Sequence, residues 1–271
     1  MTESRDNTSN DKIPSNTEVF ADYAGYYDLL YRDKNYETEA EYVSGLIQKF
    51  HPAAQSILEL GSGTGKHACS LAERGYKIHG IERSPEMLGQ SQSSAIKRNM
   101  ADGRLSFSAG DIRKVRLREH YDAVISLFHV MSYQTANEDV TAAFDTARHH
   151  LKPGGIFIFD VWYGPAVLTE RPEVRIKRMA DGKIEITRLA EPVLHPNENR
   201  VDVNYNMLVR NLASQTVFEL KETHTMRYFF KPEIDLWATL SGFTVQAAEE
   251  WQTAKPIGID TWSVCFCLKA R

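Results

Sequence analysis

Residues 59–67 read Glu-Leu-Gly-Ser-Gly-Thr-Gly-Lys-His, a glycine-rich turn that follows the apolar run Ser56–Leu60 and leads into a helical pattern at 66–74. Strand, tight turn and helix in that order bring backbone N–H groups and a helix N-terminus to one point, where a ligand can sit. Two phosphate-binding readings meet obstacles. A P-loop needs G-x-x-x-x-G-K-[ST], because its last hydroxyl holds magnesium. Aligned on Gly65 and Lys66, Leu60 falls at the first glycine and His67 at the hydroxyl position. The dinucleotide fingerprint G-x-G-x-x-G needs a third glycine for close helix–sheet packing. Counted from Gly61 and Gly63 that position is Lys66, which leaves a nicotinamide-dependent oxidoreductase as a minor rival.

What remains is acid-x-G-x-G-x-G, a turn whose glycines let the backbone pass close to a ligand that lacks a phosphate. Glu82 ends the next strand-like run, KIHGIE, 21 residues after Gly61, where the ribose-binding acid of nucleotide folds lies. Gly110-Asp111-Ile112 follows a third run, RLSFSA, and offers a carboxylate and an apolar side chain. Each motif alone is weak, but their order and spacing reinforce one another. Glu59 through Gly65, Glu82, Gly110-Asp111-Ile112 and the LKPGG at 151–155 together resemble the class I S-adenosylmethionine (SAM)-dependent methyltransferases, over roughly 40–165 and 231–271. The resemblance implies SAM as cofactor, with Gly61, Gly63 and Gly65 on the methionine side, Glu82 on the ribose and Asp111 on the adenine, Ile112 lying against the ring. Glu59, Arg83, Phe128, Tyr23 and Tyr31 complete the expected cofactor set.

The strand-like runs SILEL, KIHGIE, RLSFSA, YDAVISLF and GIFIFDVW alternate with helical patterns at 66–74, 85–99 and 138–150. Near-continuous apolar strands of this kind suit a parallel sheet covered on both faces. Ser84-Pro85 predicts a capped start for the second helix, and LKPGG a stop for the third. After Trp162 the periodicity changes to two, in four runs between about 173 and 230 separated by ADGK, HPNEN and NLASQ, which read as hairpin loops. The expected fold is α/β: a doubly wound, seven-stranded, mostly parallel sheet with one reversed strand near its end. Its parts are a disordered tail (1–17), an N-terminal helical lid (18–50), a SAM-binding domain in two pieces (51–172 and 231–271) and an antiparallel insert (173–230) serving as acceptor cap or dimer surface.

The chain has 271 residues, 42% of them hydrophobic, and a formal charge of −4. No basic excess points to nucleic acid, and no apolar run approaches a membrane span or a signal-peptide core. A cytoplasmic, non-membrane protein, monomeric or homodimeric, is expected. Cys69, Cys265 and Cys267 cannot build a disulfide framework, and no spacing predicts a metal site. His149 and His150 close a helix, where the helix dipole accounts for them.

The stretch SLFHVMSYQ after the fourth strand occupies the edge where the methyl group should emerge. It lacks the D/N-P-P-Y/F sequence of enzymes that methylate exocyclic base amines or protein glutamine. His129 and Tyr133 are the catalytic candidates there, as base or as orienting partners, against the plainer reading of a strand cap and a packed ring. Upstream, Tyr23, Tyr27 and Tyr31 fall four apart on one helical face. With the Y-x-x-E-A that follows, this segment resembles that of the deoxyaminosugar N-methyltransferases of macrolide biosynthesis, as does the insert, over most of 18–271. That resemblance implies a lid over the cofactor and a nucleotide-linked amino sugar as acceptor. Tyr133 stands where several members of that group have a histidine. The insert also carries His195, Tyr205, Arg210, His224, Arg227 and Tyr228. Its arginines would suit a diphosphate, though no single one stands out. The alternatives are O- or N-methylation of another small metabolite and a catalytically silent SAM-binding protein.

Overall fold

The computed structural model of the chain describes residues 24–98, 100 and 103–271. The tail at 1–17, the start of the lid segment and Tyr23 lie outside them. In chain order, α1 (Ala24–Leu30) and α2 (Tyr36–Phe50) precede β1 (Ser56–Leu60), α3 (Lys66–Glu73), β2 (Lys77–Glu82), α4 (Pro85–Lys97), β3 (Leu105–Ala109), β4 (Tyr121–Ser126), α5 (Asn137–His150) and β5 (Leu151–Tyr163). These strands pair in parallel in the order β3-β2-β1-β4-β5. Side chains leave the sheet alternately to its two faces. Ile57, Ala123, Ile125, Ile156 and Ile158 pack with α2 and α3, whereas Leu58, Val124, Phe157 and Phe159 meet Val140 and Phe144 of α5. Apolar residues at successive positions thus bury both faces, as the unbroken runs predicted.

The chain next forms α6 (Gly164–Thr169) and four antiparallel strands, β6 (Arg175–Ala180), β7 (Ile184–His195), β8 (Arg200–Asn211) and β9 (Val217–Phe229), then α7 (Lys231–Leu240), β10 (Phe243–Glu250) and β11 (Ser263–Ala270). β11 runs antiparallel to both β5 and β10, the expected reversed strand. The period-two strands are not hung on a loop: Trp162 and Tyr163 of β5 pair in parallel with Tyr228 and Phe229 of β9, so the sheet continues into them. Leu30 of α1 is buried against them with Met179, Ile186, Met207 and Val209.

Three local readings need amending. The helix expected over 85–99 ends at Lys97, although its start is as predicted, with Pro85 in the first turn and the Ser84 hydroxyl accepting from the Met87 amide. LKPGG stops α5 at His150 as expected, but it is no linker: it is already the first part of β5, irregular where Tyr121 and Ala123 pair with Leu151 and Ile156. His150 does not answer the helix dipole as a cation. It is fully buried, its Nδ1 facing the Thr146 carbonyl at 2.8 Å and its Nε2 accepting from the Leu117 amide, and burial lowers its pKa. No helix among the described residues is long and apolar enough to cross a membrane.

Candidate active site

A cavity of about 680 Å³ opens where the glycine turn, the ends of β2 and β4 and the inner side of β8 and β9 meet. The three turn glycines are left-handed, at φ +77°, +54° and +77°, a region other residues enter only with strain. Their surroundings differ. A Cβ on Gly61 would come within 2.6 Å of the Val130 side chain, and one on Gly65 within 2.7 Å of the Phe107 ring; on Gly63 it would meet nothing nearer than the Met87 sulfur at 3.9 Å. Gly63 is thus the one with open space beside it. Gly61 lines the cavity but is also required by Val130, and Gly65 is required by protein packing behind the wall.

Glu82 faces the cavity from the end of β2. Its Oε2 accepts from the Gly63 amide at 2.8 Å, and its Oε1 from the amides of Arg83 and Ser84 at 2.8 and 2.7 Å. A carboxylate offers about four acceptor sites, so Oε2 retains one for a ligand hydroxyl. Burial raises the Glu82 pKa, and the three amides oppose that rise. Arg83 lines the cavity beside it.

Glu59 is placed differently from the expectation of a ligand contact. It is 1% exposed beneath the cavity wall, with Oε1 3.9 Å from His67 Nδ1. Burial, and secondarily the neighbouring Glu82, push its carboxyl up to about 8. Its ordinary value is 4.5, so the unfolded chain releases this proton from pH 4.5 upward while the fold retains it. Stability therefore falls as pH rises from about 4.5 toward 8. Glu59→Gln should reduce that loss, narrowing the difference in thermal midpoint between pH 5 and 8; an unchanged difference would contradict it.

Asp111 lines the cavity with Ile112, and Arg113 holds its carboxylate through Nε at 2.9 Å and Nη2 at 2.6 Å. That pairing lowers the Asp111 pKa and outweighs the rise that partial burial alone would cause. Arg113 also bonds Asp139 at 2.8 Å, which ties the loop after β3 to the start of α5. The ion pair two residues apart gives Asp111 a fixed orientation and a partner that the reading of Gly110-Asp111-Ile112 did not include.

Helix α1 is fastened to the turn by a residue not singled out from the sequence. Asp28 of α1 accepts from the Thr64 hydroxyl at 3.1 Å and pairs with the Lys66 ammonium at 2.9 Å. Tyr31 stands edge-on to Phe128 at 5.1 Å, with the Lys34 ammonium 3.9 Å from the Phe128 ring centre. Tyr27, Tyr31 and Phe128 all line the cavity.

Phe128 and His129 are consecutive left-handed residues, at φ +64° and +63°. Such backbone is costly for bulky side chains and persists only where its surroundings hold it. Asp160 of β5, 1% exposed, does so: its Oδ2 accepts from the His129 amide at 3.1 Å and lies 2.7 Å from His129 Nδ1. Tyr133 ends the next short helical turn (Val130–Tyr133), and its hydroxyl lies 2.8 Å from His224 Nδ1 on β9. Burial raises the Tyr133 pKa well above that of a free phenol. The two catalytic candidates thus reach one cavity, each with a partner from distant chain. Among the insert arginines, Arg227 is committed to Thr135, Asn137 and Glu233, Arg210 is paired with Glu185, and Arg188 lies over the Tyr205 ring at 5.0 Å.

Residues 57–155 match the family model of a methyltransferase domain. The chain is similar to the dTDP-3-amino-3,4,6-trideoxy-alpha-D-glucopyranose N,N-dimethyltransferase of Streptomyces venezuelae, 27% identical over 230 residues that cover 84% of this chain and 92% of that one. Among solved structures it resembles a SAM-dependent methyltransferase from Clostridium acetobutylicum (TM-score 0.79, 17% identity, 93% of this chain and 98% of that one). It also resembles a SAM-bound amino pentose methyltransferase from Micromonospora echinaspora (TM-score 0.72, 24% identity, 93% and 98%). With the parallel order β3-β2-β1-β4-β5 and the glycine turn at its centre, the chain is a class I SAM-dependent methyltransferase. Its cofactor is SAM.

Proposed function

We propose that this enzyme transfers methyl groups from SAM to the amine of a nucleotide-linked amino sugar. The observation that carries the reading is the single cavity: its glycine-turn end is continuous with a polar, aromatic-walled end built from Tyr133, Trp162, Tyr205 and His224. The similarity to a dTDP-amino-sugar N,N-dimethyltransferase supports the same acceptor class.

The turn end fits SAM in its chemistry. Gly63 leaves backbone space, Glu82 offers an acceptor to a ribose hydroxyl, Asp111 and Ile112 present a carboxylate and an apolar face for the adenine, and Arg83, Phe128 and Tyr31 wall the site. When bound, SAM supplies a methyl group already activated by its sulfonium. The chain's own task is to align the acceptor, exclude water and keep the attacking nitrogen neutral. The α1 lid, held by Asp28, serves exclusion; Asp160 fixes His129 and the strained turn at the acceptor end. For an acceptor's phosphate the candidate in this reading is Arg188, whose guanidinium lies over the ring of the cavity-lining Tyr205. The proposal extends to a cytoplasmic enzyme, consistent with three buried free thiols, acting as a monomer or homodimer.

Incubation with methyl-labelled SAM and dTDP-linked sugars, some amino and some only hydroxylated, tests this. Mass spectrometry should find one or two labelled methyl groups on the amino sugars. Labelling of hydroxyl sugars alone would overturn the N-methyl assignment, and bound SAM with no transfer to either would favour another metabolite or a silent binder.

A further inference from the structure

We propose that Tyr133, His224 and Glu222 form a proton relay that takes the proton from the acceptor amine, an inference that rests on the amine-acceptor reading above. The three come from two places in the chain. Tyr133 follows β4, whereas Glu222 and His224 lie two apart on β9 and so share one face of that strand. The Tyr133 hydroxyl is 2.8 Å from His224 Nδ1, and His224 Nε2 is 3.1 Å from Glu222 Oε2. Tyr133 and His224 both line the cavity, with His224 only 3% exposed.

The order of donors follows from the carboxylate. An ionised carboxylate only accepts, so Nε2 carries the hydrogen and Nδ1 is left with its lone pair. The Tyr133 O–H must then donate to Nδ1, and in this orientation its oxygen can act as acceptor toward an N–H in the cavity. Among the described residues, the groups facing His224 include Glu222 on its own strand, Tyr205 of β8, Tyr133 and, from β7, Arg188; Tyr31, just after α1, faces Tyr133 and Tyr205. Burial lowers the His224 pKa and Glu222 opposes that, so the imidazole is neutral and able to receive a proton.

In the step, an N–H bond of the bound ammonium breaks and its proton goes to the Tyr133 oxygen as the Tyr133 hydroxyl proton passes to His224 Nδ1. The resulting imidazolium donates to Tyr133 on one side and Glu222 on the other. The freed nitrogen lone pair forms the N–C bond to the SAM methyl while the C–S bond breaks, its electron pair staying on sulfur. The proton leaves His224 to solvent when product departs, and the relay is ready for a second methyl group. His129 has the other part at this end of the cavity: its amide donates to Asp160 and its Nδ1 stands 2.7 Å from the same oxygen, so it positions the turn.

Two measurements test the relay. Nitrogen-15 histidine NMR on the full chain with bound S-adenosylhomocysteine should show one histidine, absent in His224→Asn, protonated at Nε2 with a hydrogen-bonded Nδ1. Protonation at Nδ1 instead would overturn the relay. With a dTDP-amino sugar as acceptor, Tyr133→Phe and His224→Asn should each lower kcat about 100-fold, with SAM affinity by calorimetry unchanged as the check on folding. Glu222→Gln removes the group that raises the His224 pKa, so the acidic limb of the kcat profile should move to lower pH. A limb that stays in place, with amino sugars still methylated, sinks the relay and spares the acceptor reading. The expected tautomer in an enzyme that methylates no amino sugar sinks the acceptor reading and supports the relay for another amine.

Discussion

Glu82→Ala should weaken SAM binding by about 10- to 100-fold, because a hydrogen bond to a charged group contributes about 1.5–3 kcal/mol. The side chain acts twice. It offers a lone pair to the ligand, and it holds the amides of Gly63, Arg83 and Ser84 that shape the turn and the entry to α4. Glu82→Gln separates the two effects only partly, since its NH2 must face one of those amides. It should therefore also lose affinity, though less than the alanine variant. Burial raises the Glu82 pKa, so protonation removes acceptor capacity at a pH above the usual carboxylate range. SAM affinity should accordingly fall as pH drops through that raised value. Isothermal calorimetry measures all three; equal affinity in the wild type and the alanine variant would remove Glu82 from the cofactor site.

Asp160→Ala should lower both stability and turnover. Its carboxylate receives the His129 amide and stands against the His129 ring in a place almost sealed from solvent. Removing it leaves buried donors without an acceptor, at a cost of about 1–3 kcal/mol, and releases two left-handed residues that gain by relaxing. Phe128 would leave Tyr27 and Tyr31 and His129 would leave the cavity wall, with kcat lowered about 100-fold through lost alignment. Asp160→Asn keeps a carbonyl oxygen for the amide and should retain most of the stability while losing the charge opposite the imidazole. Thermal denaturation and single-turnover kinetics on the pair decide the matter: if alanine and asparagine behave alike, the turn is not held as described.

The sheet was legible because its order depends on local runs. SILEL, KIHGIE and YDAVIS bury both faces, and that pattern survives without knowledge of what covers them. The Ser84 cap and Glu82 at the end of β2 are local in the same sense. What escaped the sequence lies in contacts between distant segments. Tyr133 was visible as a candidate, but its partner His224 is 91 residues away and was one of several polar side chains on an amphipathic strand. Asp160 sits inside an apolar run, GIFIFDVW, where a single acid reads equally well as a strand end. A buried acid amid such a run was the available signal. Asp28 lay between aromatic residues that drew attention to themselves, although it is the residue that reaches Thr64 and Lys66. The glycines show the opposite limit. Their positive φ was readable from the motif, but the neighbours that require Gly61 and Gly65 to lack a side chain, Val130 and Phe107, became visible only in three dimensions.

The most direct test of the account is a crystal structure of the enzyme with S-adenosylhomocysteine and a dTDP-linked amino sugar. The expected result has the ribose on Glu82, the cofactor sulfur beside Gly63 and the strand-end turn, and the sugar nitrogen within hydrogen-bonding distance of the Tyr133 hydroxyl. A sugar bound with its nitrogen turned away from Tyr133, or held outside the cavity between the glycine turn and β9, would contradict it.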